Sequence, residues 1–224
     1  MTAAELMSSR TPARPVCASC QRPQSHCICR WIRPLENQVE LLLLQHPLEQ
    51  HQAKGTAGPL LLSLSRHHCL VGEQFDPALL AQALAKPDPL FVNLLLYPDD
   101  AGVLPKAKAA LALAADALAR PERLRLVVLD ATWRKSRKML HLNPLLQALP
   151  RLALQQPPAS RYTIRRAQQT HQLSTLEATV LALQQLEGVG REASYAPLLT
   201  AFDGFVAQLT PALNPANQRP APQR

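Results

Sequence analysis

Aromatic side chains are scarce: Phe, Trp and Tyr together make up 4% of the 224 residues. A core built around stacked rings is thereby excluded. The apolar content, 47%, must come mainly from Leu, Ala and Val, which suffice to bury a sizeable core at this length. Long apolar runs are missing as well. The longest, around Leu41–Leu44 and Leu94–Leu96, fall far short of the roughly 20 residues that span a bilayer, so no membrane association is expected. Met1 to Val16 is small, polar and basic and carries no apolar segment of the secretory type. The expectation is a cytoplasmic protein. No internal repeat is evident.

Acidic residues are also in deficit. Lys and Arg number 24 against 16 Asp and Glu, a formal charge of +8. Such an excess favours a polyanionic partner without specifying a fold. It is concentrated in two places, Arg134, Lys135, Arg137 and Lys138, and then Arg161, Arg165 and Arg166. Two solvated basic faces would explain the pattern. Their closeness to the motifs described below makes them candidates for RNA contact.

Four organisational segments are expected: a disordered tail over 1–16, a cysteine cluster over 17–36, a main domain over 37–210 and a flexible tail over 211–224. Within the main domain, continuous apolar runs at Val39–Gln45, Leu90–Tyr97 and Leu124–Leu129 read as buried strands, with shorter ones at Cys69–Val71 and Leu152–Gln155. Helical patterns lie between them at Ala57–Ser65, Pro77–Ala85 (capped by Asp76), Pro105–Ala119 and Thr132–His141. Ser174–Leu186, stopped by Gly188, and Tyr195–Leu209 follow. This alternation predicts an α/β fold, a mainly parallel sheet with helices on both faces. Ligands of such sheets sit beyond the carboxyl ends of the strands.

Cys17, Cys20, Cys27 and Cys29 place four thiols within thirteen residues. The C-x2-C half has a zinc-knuckle spacing, and in a reducing compartment disulfides are disfavoured. A structural Zn2+ is the expected occupant, with an iron–sulfur cluster as the rival and His26 as a substitute ligand. Four thiolates around one Zn2+ bring the formal charge to about +6, so the molecule stays basic. Cys69 stands apart and reads as a small buried apolar residue.

Asp130-Ala131-Thr132-Trp133 follows the strand Leu124–Leu129 directly. A carboxylate there is placed as a sheet enzyme would place it, yet Asp130 or Thr132 could equally cap the next helix. Trp133 suits either core packing or stacking on a base. Ser174 and Glu177 have capping-box spacing, which by itself explains both; the same helix start could offer backbone N–H groups to an anion. Leu96-Tyr97-Pro98 follows another strand. In His46-Pro47-Leu48-Glu49, His46 is more often structural than catalytic for a histidine in a loop.

Taken together and in this order, the cysteine cluster, His46-Pro47-x-Glu49, Leu96-Tyr97-Pro98, Asp130-x-Thr132-Trp133 and Leu173-Ser174-Thr175-x-Glu177-Ala178 resemble the DTW-domain family of tRNA-uridine aminocarboxypropyltransferases. The resemblance covers about Cys17 to Leu209. It implies a SPOUT-like knotted sheet. It also implies S-adenosyl-L-methionine held by Leu96, Tyr97, Pro98, Leu129, Leu173, Ser174 and Thr175, with chemistry at Asp130, Thr132 and Trp133. The implied reaction transfers a 3-amino-3-carboxypropyl group to N3 of a tRNA uridine, by analogy with short family members in the variable loop. A monomer is expected. A methyltransferase of the same fold and a non-catalytic zinc-containing RNA-binding protein remain alternatives.

Overall fold

The computed structural model describes residues 15–50, 52–98, 119–154, 157–162, 173–188 and 190–212. Five strands, β1 (Glu40–Gln45), β2 (His67–Val71), β3 (Val92–Leu96), β4 (Leu124–Asp130) and β5 (Arg151–Leu152), form one sheet in the order β2-β1-β4-β3-β5. Every pairing of these strands among the described residues is parallel. The helices are α1 (Ala57–Ser63), α2 (Pro77–Ala83), α3 (Trp133–Leu142), α4 (Pro144–Gln147), α5 (Thr175–Glu187) and α6 (Glu192–Ala212). The expected strands and helices are thus present among the described residues, save the helix over 105–119, which falls almost wholly outside them. The short α4, four residues between Pro144 and Gln147, carries too little pattern to be foreseen.

The apolar runs explain the layering. Successive strand side chains point to opposite faces, so an unbroken run is buried on both. Leu41 and Leu43 of β1 join Leu94, Leu126 and Val128 in a core completed by α1, α5 and α6. Leu42 and Leu44 join Leu95 and Val127 in a second core with Leu80 of α2, Met139 and Leu140 of α3 and Leu146 of α4. Local signals set the helix ends. Asp76 accepts from the amides of Ala78 and Leu79, with Pro77 at the first helical position. Gly188 ends α5 at φ 88°, a conformation glycine adopts without a Cβ penalty.

The cysteine segment is packed onto the sheet domain. Val16 pairs with Pro23 to close its first turn, and two 3-10 turns, Gln24–His26 and Cys29–Trp31, follow. Trp31 lies against Gly204 of α6, where a Cβ would collide with the ring. Its indole N–H donates to Gln208 Oε1, and Gln208 Nε2 donates to the carbonyl of Cys27. Among the described residues no helix is long and apolar enough to cross a membrane.

Candidate active site

The strand order places a crevice between β1 and β4. From β1 the chain turns outward to β2; from β4 it turns the other way, toward β5. Neighbouring strands whose exits diverge leave a gap at their carboxyl ends, the usual ligand position in an open parallel sheet. Register brings Gln45 opposite Asp130 at that gap, and the amide of His46 donates to the Asp130 carbonyl at 3.0 Å.

Asp130 is 7% exposed and held on both carboxylate oxygens. Gln45 Nε2 donates to Oδ2 at 2.8 Å, and Thr175 Oγ1 donates to Oδ1 at 2.6 Å. Burying a charge is costly unless hydrogen bonds replace its water, and these two bonds serve that end. The capping alternative is not realised at either residue: Asp130 is turned to Gln45 and Thr175, and Thr132, though it occupies the cap position of α3, makes no side-chain cap bond. The carboxylate, Ala131 and Thr175 line a cavity of about 180 Å3 together with Glu49, Gln52, Lys54, Gly55, Thr56 and Tyr162.

Thr175 is set by the start of α5. Ser174 Oγ accepts from the Glu177 amide at 3.3 Å and Glu177 Oε2 accepts from the Ser174 amide at 2.8 Å, the reciprocal bonds of a capping box. Glu177 also accepts from Ser160 Oγ and the Arg161 amide, while the Leu176 amide donates to Thr56 Oγ1 at 3.3 Å. With the amides of Ser174, Leu176 and Glu177 all engaged internally, the helix start keeps few donors for an external anion. The capping account of Ser174 and Glu177 holds here, and Thr175 reaches the cavity through its side chain.

Tyr97 and Trp133 meet edge to face, centroids 5.6 Å apart at 78°. Tyr97 is buried, which pushes its hydroxyl's pKa upward, and the Arg151 guanidinium lies 5.6 Å from its ring centroid. Trp133 is 47% exposed, so core packing does not account for it. Leu96 and Leu129 are partly buried against the two cores, and Pro98 and Leu173 are half-buried.

A second, open cleft of about 560 Å3 is lined by His46, Pro47, Leu48, Glu73, Arg134, Lys135 and Lys138. Lys135 pairs with Glu49 at 2.9 Å, joining this cleft's wall to that of the Asp130 cavity. Lys138 pairs with Glu73 at 2.7 Å, and this bond, followed by that from His46, draws the Glu73 carboxyl below its usual range. His46 is held at both nitrogens: Nδ1 accepts from the Leu48 amide and Nε2 lies 3.1 Å from Glu73. Both ring nitrogens are thus engaged by neighbours in the fold, a structural placement. Arg134 and Arg137 are exposed; Arg161 pairs with Asp203 at 3.0 Å; Arg165 and Arg166 lie outside the described residues.

The four thiols converge. All sulfur atoms of Cys17, Cys20, Cys27 and Cys29 lie within 4.8 Å of one another, with Cys17–Cys29 at 3.6 Å and Cys20–Cys27 at 3.8 Å. A tetrahedron of Zn–S bonds of about 2.3 Å has edges of about 3.8 Å, so the set fits Zn2+. Backbone hydrogen bonds from Cys20 and then Ser19 lower the Cys17 thiol to about 6, while contact with the Cys17 and then the Cys27 thiol raises Cys29 to about 12. His26 bonds Ser25 instead of joining the cluster, and Cys69 remains a lone thiol whose pKa burial raises.

Residues 14–210 match the DTW domain. Curated proteins named tRNA-uridine aminocarboxypropyltransferase 2 are similar. That of Macaca fascicularis is 28% identical over 191 residues, 82% of this chain and 60% of that protein. That of Mus musculus is 29% identical over 183 residues, 78% of this chain and 57% of that protein. That of Drosophila melanogaster is 31% identical over 182 residues, 78% of this chain and 67% of that protein. The chain therefore spans about three-fifths of the length of the first two relatives. No solved structure matches.

Proposed function

The chain belongs to the DTW-domain family, and from that membership we propose that it transfers the 3-amino-3-carboxypropyl group of S-adenosyl-L-methionine to N3 of a tRNA uridine. The variable loop is the proposed place of that uridine, and 5′-methylthioadenosine is the second product. The observation that carries the reading is the Asp130 carboxylate, fixed by Gln45 and Thr175 over a polar cavity at the divergence of β1 and β4.

The donor supplies a sulfonium whose three attached carbons are all electrophilic; the site selects one by holding it in line with the nucleophile. The chain's own residues have two tasks. The first is to present N3 of uracil, a poor nucleophile while it carries its proton. A carboxylate accepts about four hydrogen bonds, and Asp130, buried and braced by Gln45 and Thr175, is suited to take the N3–H of the base as orienting acceptor or as base. Trp133, half-exposed at the start of α3 three residues after Asp130, is proposed to supply a face for the uracil. The second task is to bind the donor along the carboxyl ends of β3 and β4 and the start of α5. There Leu96, Tyr97, Pro98, Leu129, Leu173, Ser174 and Thr175 lie, with Thr132 opening α3.

Arg134, Lys135, Arg137 and Lys138 of α3 and Arg161, Arg165 and Arg166 form the proposed grip on tRNA phosphates. Zn2+ at the four cysteines is structural, since four protein thiolates leave no open position for substrate. The proposal includes a SPOUT-like knot near the carboxyl end, a monomer and a cytoplasmic location. An all-parallel sheet whose chain returns from edge strand β5 to α5 beside β4 is compatible with the knot. A knotted chain pulled from both ends extends to less than its full contour.

The test is incubation of the purified protein with unmodified tRNA and S-adenosyl-L-methionine, followed by nucleoside mass spectrometry. The reading requires a uridine heavier by one aminocarboxypropyl group, together with methylthioadenosine. A methylated nucleoside with S-adenosylhomocysteine would overturn the chemistry, and an unmodified RNA bound tightly would favour the non-catalytic alternative.

A further inference from the structure

One wall of the Asp130 cavity, the segment Lys54-Gly55-Thr56, has no strand or helix of its own to fix it. Its local ties are a turn bond from the Gly55 amide to the Gln52 carbonyl at 2.8 Å and the entry of Thr56 into α1; side chains from elsewhere in the chain hold its outward carbonyls. Arg22 Nη1 donates to the Ala53 carbonyl at 2.9 Å and Arg22 Nη2 to the Gly55 carbonyl at 3.0 Å. Between them, Tyr162 Oη donates to the Lys54 carbonyl at 2.6 Å. Three successive carbonyls are thus pinned. In a trans peptide the following N–H points opposite to the carbonyl, so pinning these three fixes the amides of residues 54 to 56 as well.

Arg22 belongs to the cysteine module. Its own carbonyl accepts from the Cys17 amide at 2.8 Å, and it sits between ligand pairs Cys17/Cys20 and Cys27/Cys29. The guanidinium rests 5.4 Å from the centroid of Phe205 on α6 and close to Gly58. The wall in turn bears on the reacting side: Thr56 Oγ1 accepts from the Leu176 amide, one residue from the Thr175 hydroxyl that holds Asp130.

We propose that Arg22 is a positioning residue for the reaction pocket: through it the cysteine module holds the Ala53–Gly55 carbonyls and thereby shapes the wall facing Asp130. The module's contribution is therefore to the chemical step, beyond any contact it makes with RNA. This rests on the proposed transferase reading, but half of its test does not.

The experiment compares wild type, Arg22→Gln, Arg22→Lys and Tyr162→Phe, each first shown to hold its metal by metal analysis. Amide hydrogen exchange is followed at residues 52–56, and kcat and KM are measured for both substrates. The Gly55 amide, protected by its turn bond to the Gln52 carbonyl, reports on opening of this segment, and Arg22→Gln is expected to speed its exchange by about five- to tenfold per lost hydrogen bond. It should lower kcat on the order of 10- to 100-fold, as misplacement of a pocket wall does, with KM for tRNA little changed. Arg22→Lys should restore part of both effects, since an ammonium can donate to both carbonyls but lacks the planar fork. Tyr162→Phe, which frees one carbonyl and keeps the module's arginine, should show the same signature more weakly. Unchanged exchange in Arg22→Gln overturns the proposal, whatever Tyr162→Phe does. So does a loss confined to tRNA KM, which would make Arg22 an RNA contact. A wild type that makes no aminocarboxypropyl-uridine refutes the transferase reading alone, because the exchange comparison still decides whether Arg22 holds the wall.

Discussion

Replacing Asp130 with asparagine removes a charge and preserves shape, so its effect isolates what the carboxylate does. Hydrogen bonds to an ionised group contribute about 1.5–3 kcal/mol against about 0.5–1.5 kcal/mol for neutral pairs. Two such bonds, at 2.8 Å from Gln45 and 2.6 Å from Thr175, are weakened together. The new amide's NH2 must also face one of the two donors. Gln45 can turn its amide oxygen inward and Thr175 can rotate its hydroxyl, so the mismatch is relieved at the expense of rearrangement. The expected loss is about 2–3 kcal/mol of folding stability, or roughly 4–12 °C in Tm for a chain of this size. Urea unfolding and calorimetry read this quantity directly. If the carboxylate accepts the N3 proton, turnover at saturating substrates falls by about 100-fold or more, well beyond what the stability change explains. A folded Asp130→Asn variant with turnover within about threefold of wild type would refute the chemical role. A stability change under about 0.5 kcal/mol would refute the view that Asp130 ties β1, β4 and α5 together.

Glu177→Ala removes the acceptor shared by the amides of Ser174 and Arg161 and by Ser160 Oγ, leaving the buried Ser174 amide and two part-buried donors unmet; about 2–4 kcal/mol of stability should be lost, measurable by urea titration. Gly204→Ala, which in an open helix would stabilise by up to about 1 kcal/mol, should destabilise here and shift the emission of Trp31, because the added methyl overlaps the ring. The Glu73 carboxyl is held low chiefly by Lys138 and next by His46. Its contribution is present above the ordinary glutamate value of about 4.3 and is lost as pH falls through the lowered one. Lys138→Ala should move the Glu73 carboxyl resonance's titration midpoint back up toward about 4.3, and an unmoved midpoint would contradict the pairing.

Much of the scaffold was legible because its signals are local. Unbroken apolar runs marked β1, β3 and β4, Asp76-Pro77 marked the start of α2, and Gly188 marked the end of α5. The cysteine spacing foretold the converged sulfurs for the same reason: all four ligands lie within one short stretch. The site was legible only in part. The Ser174–Glu177 box could be read from spacing, but nothing local says that Thr175 aims its hydroxyl at Asp130, 45 residues away. Gln45 becomes Asp130's partner only through a parallel register across 85 residues. Nothing in the sequence marks Arg22, since its carbonyl partners lie 31 and 33 residues on. Asn93 donates to the Leu84 carbonyl and accepts from the buried Arg125, a structural duty that a lone asparagine in a strand does not advertise.

The central claim concerns which bond of the donor breaks, and a doubly labelled substrate tests it most directly. S-adenosyl-L-methionine carrying one label in its methyl group and another in its carboxyl group is incubated with the protein and unmodified tRNA, and both labels are followed. The account predicts that the carboxyl label enters tRNA at a uridine while the methyl label stays in the small-molecule fraction as methylthioadenosine. Methyl label in the RNA with carboxyl label left in solution would contradict it.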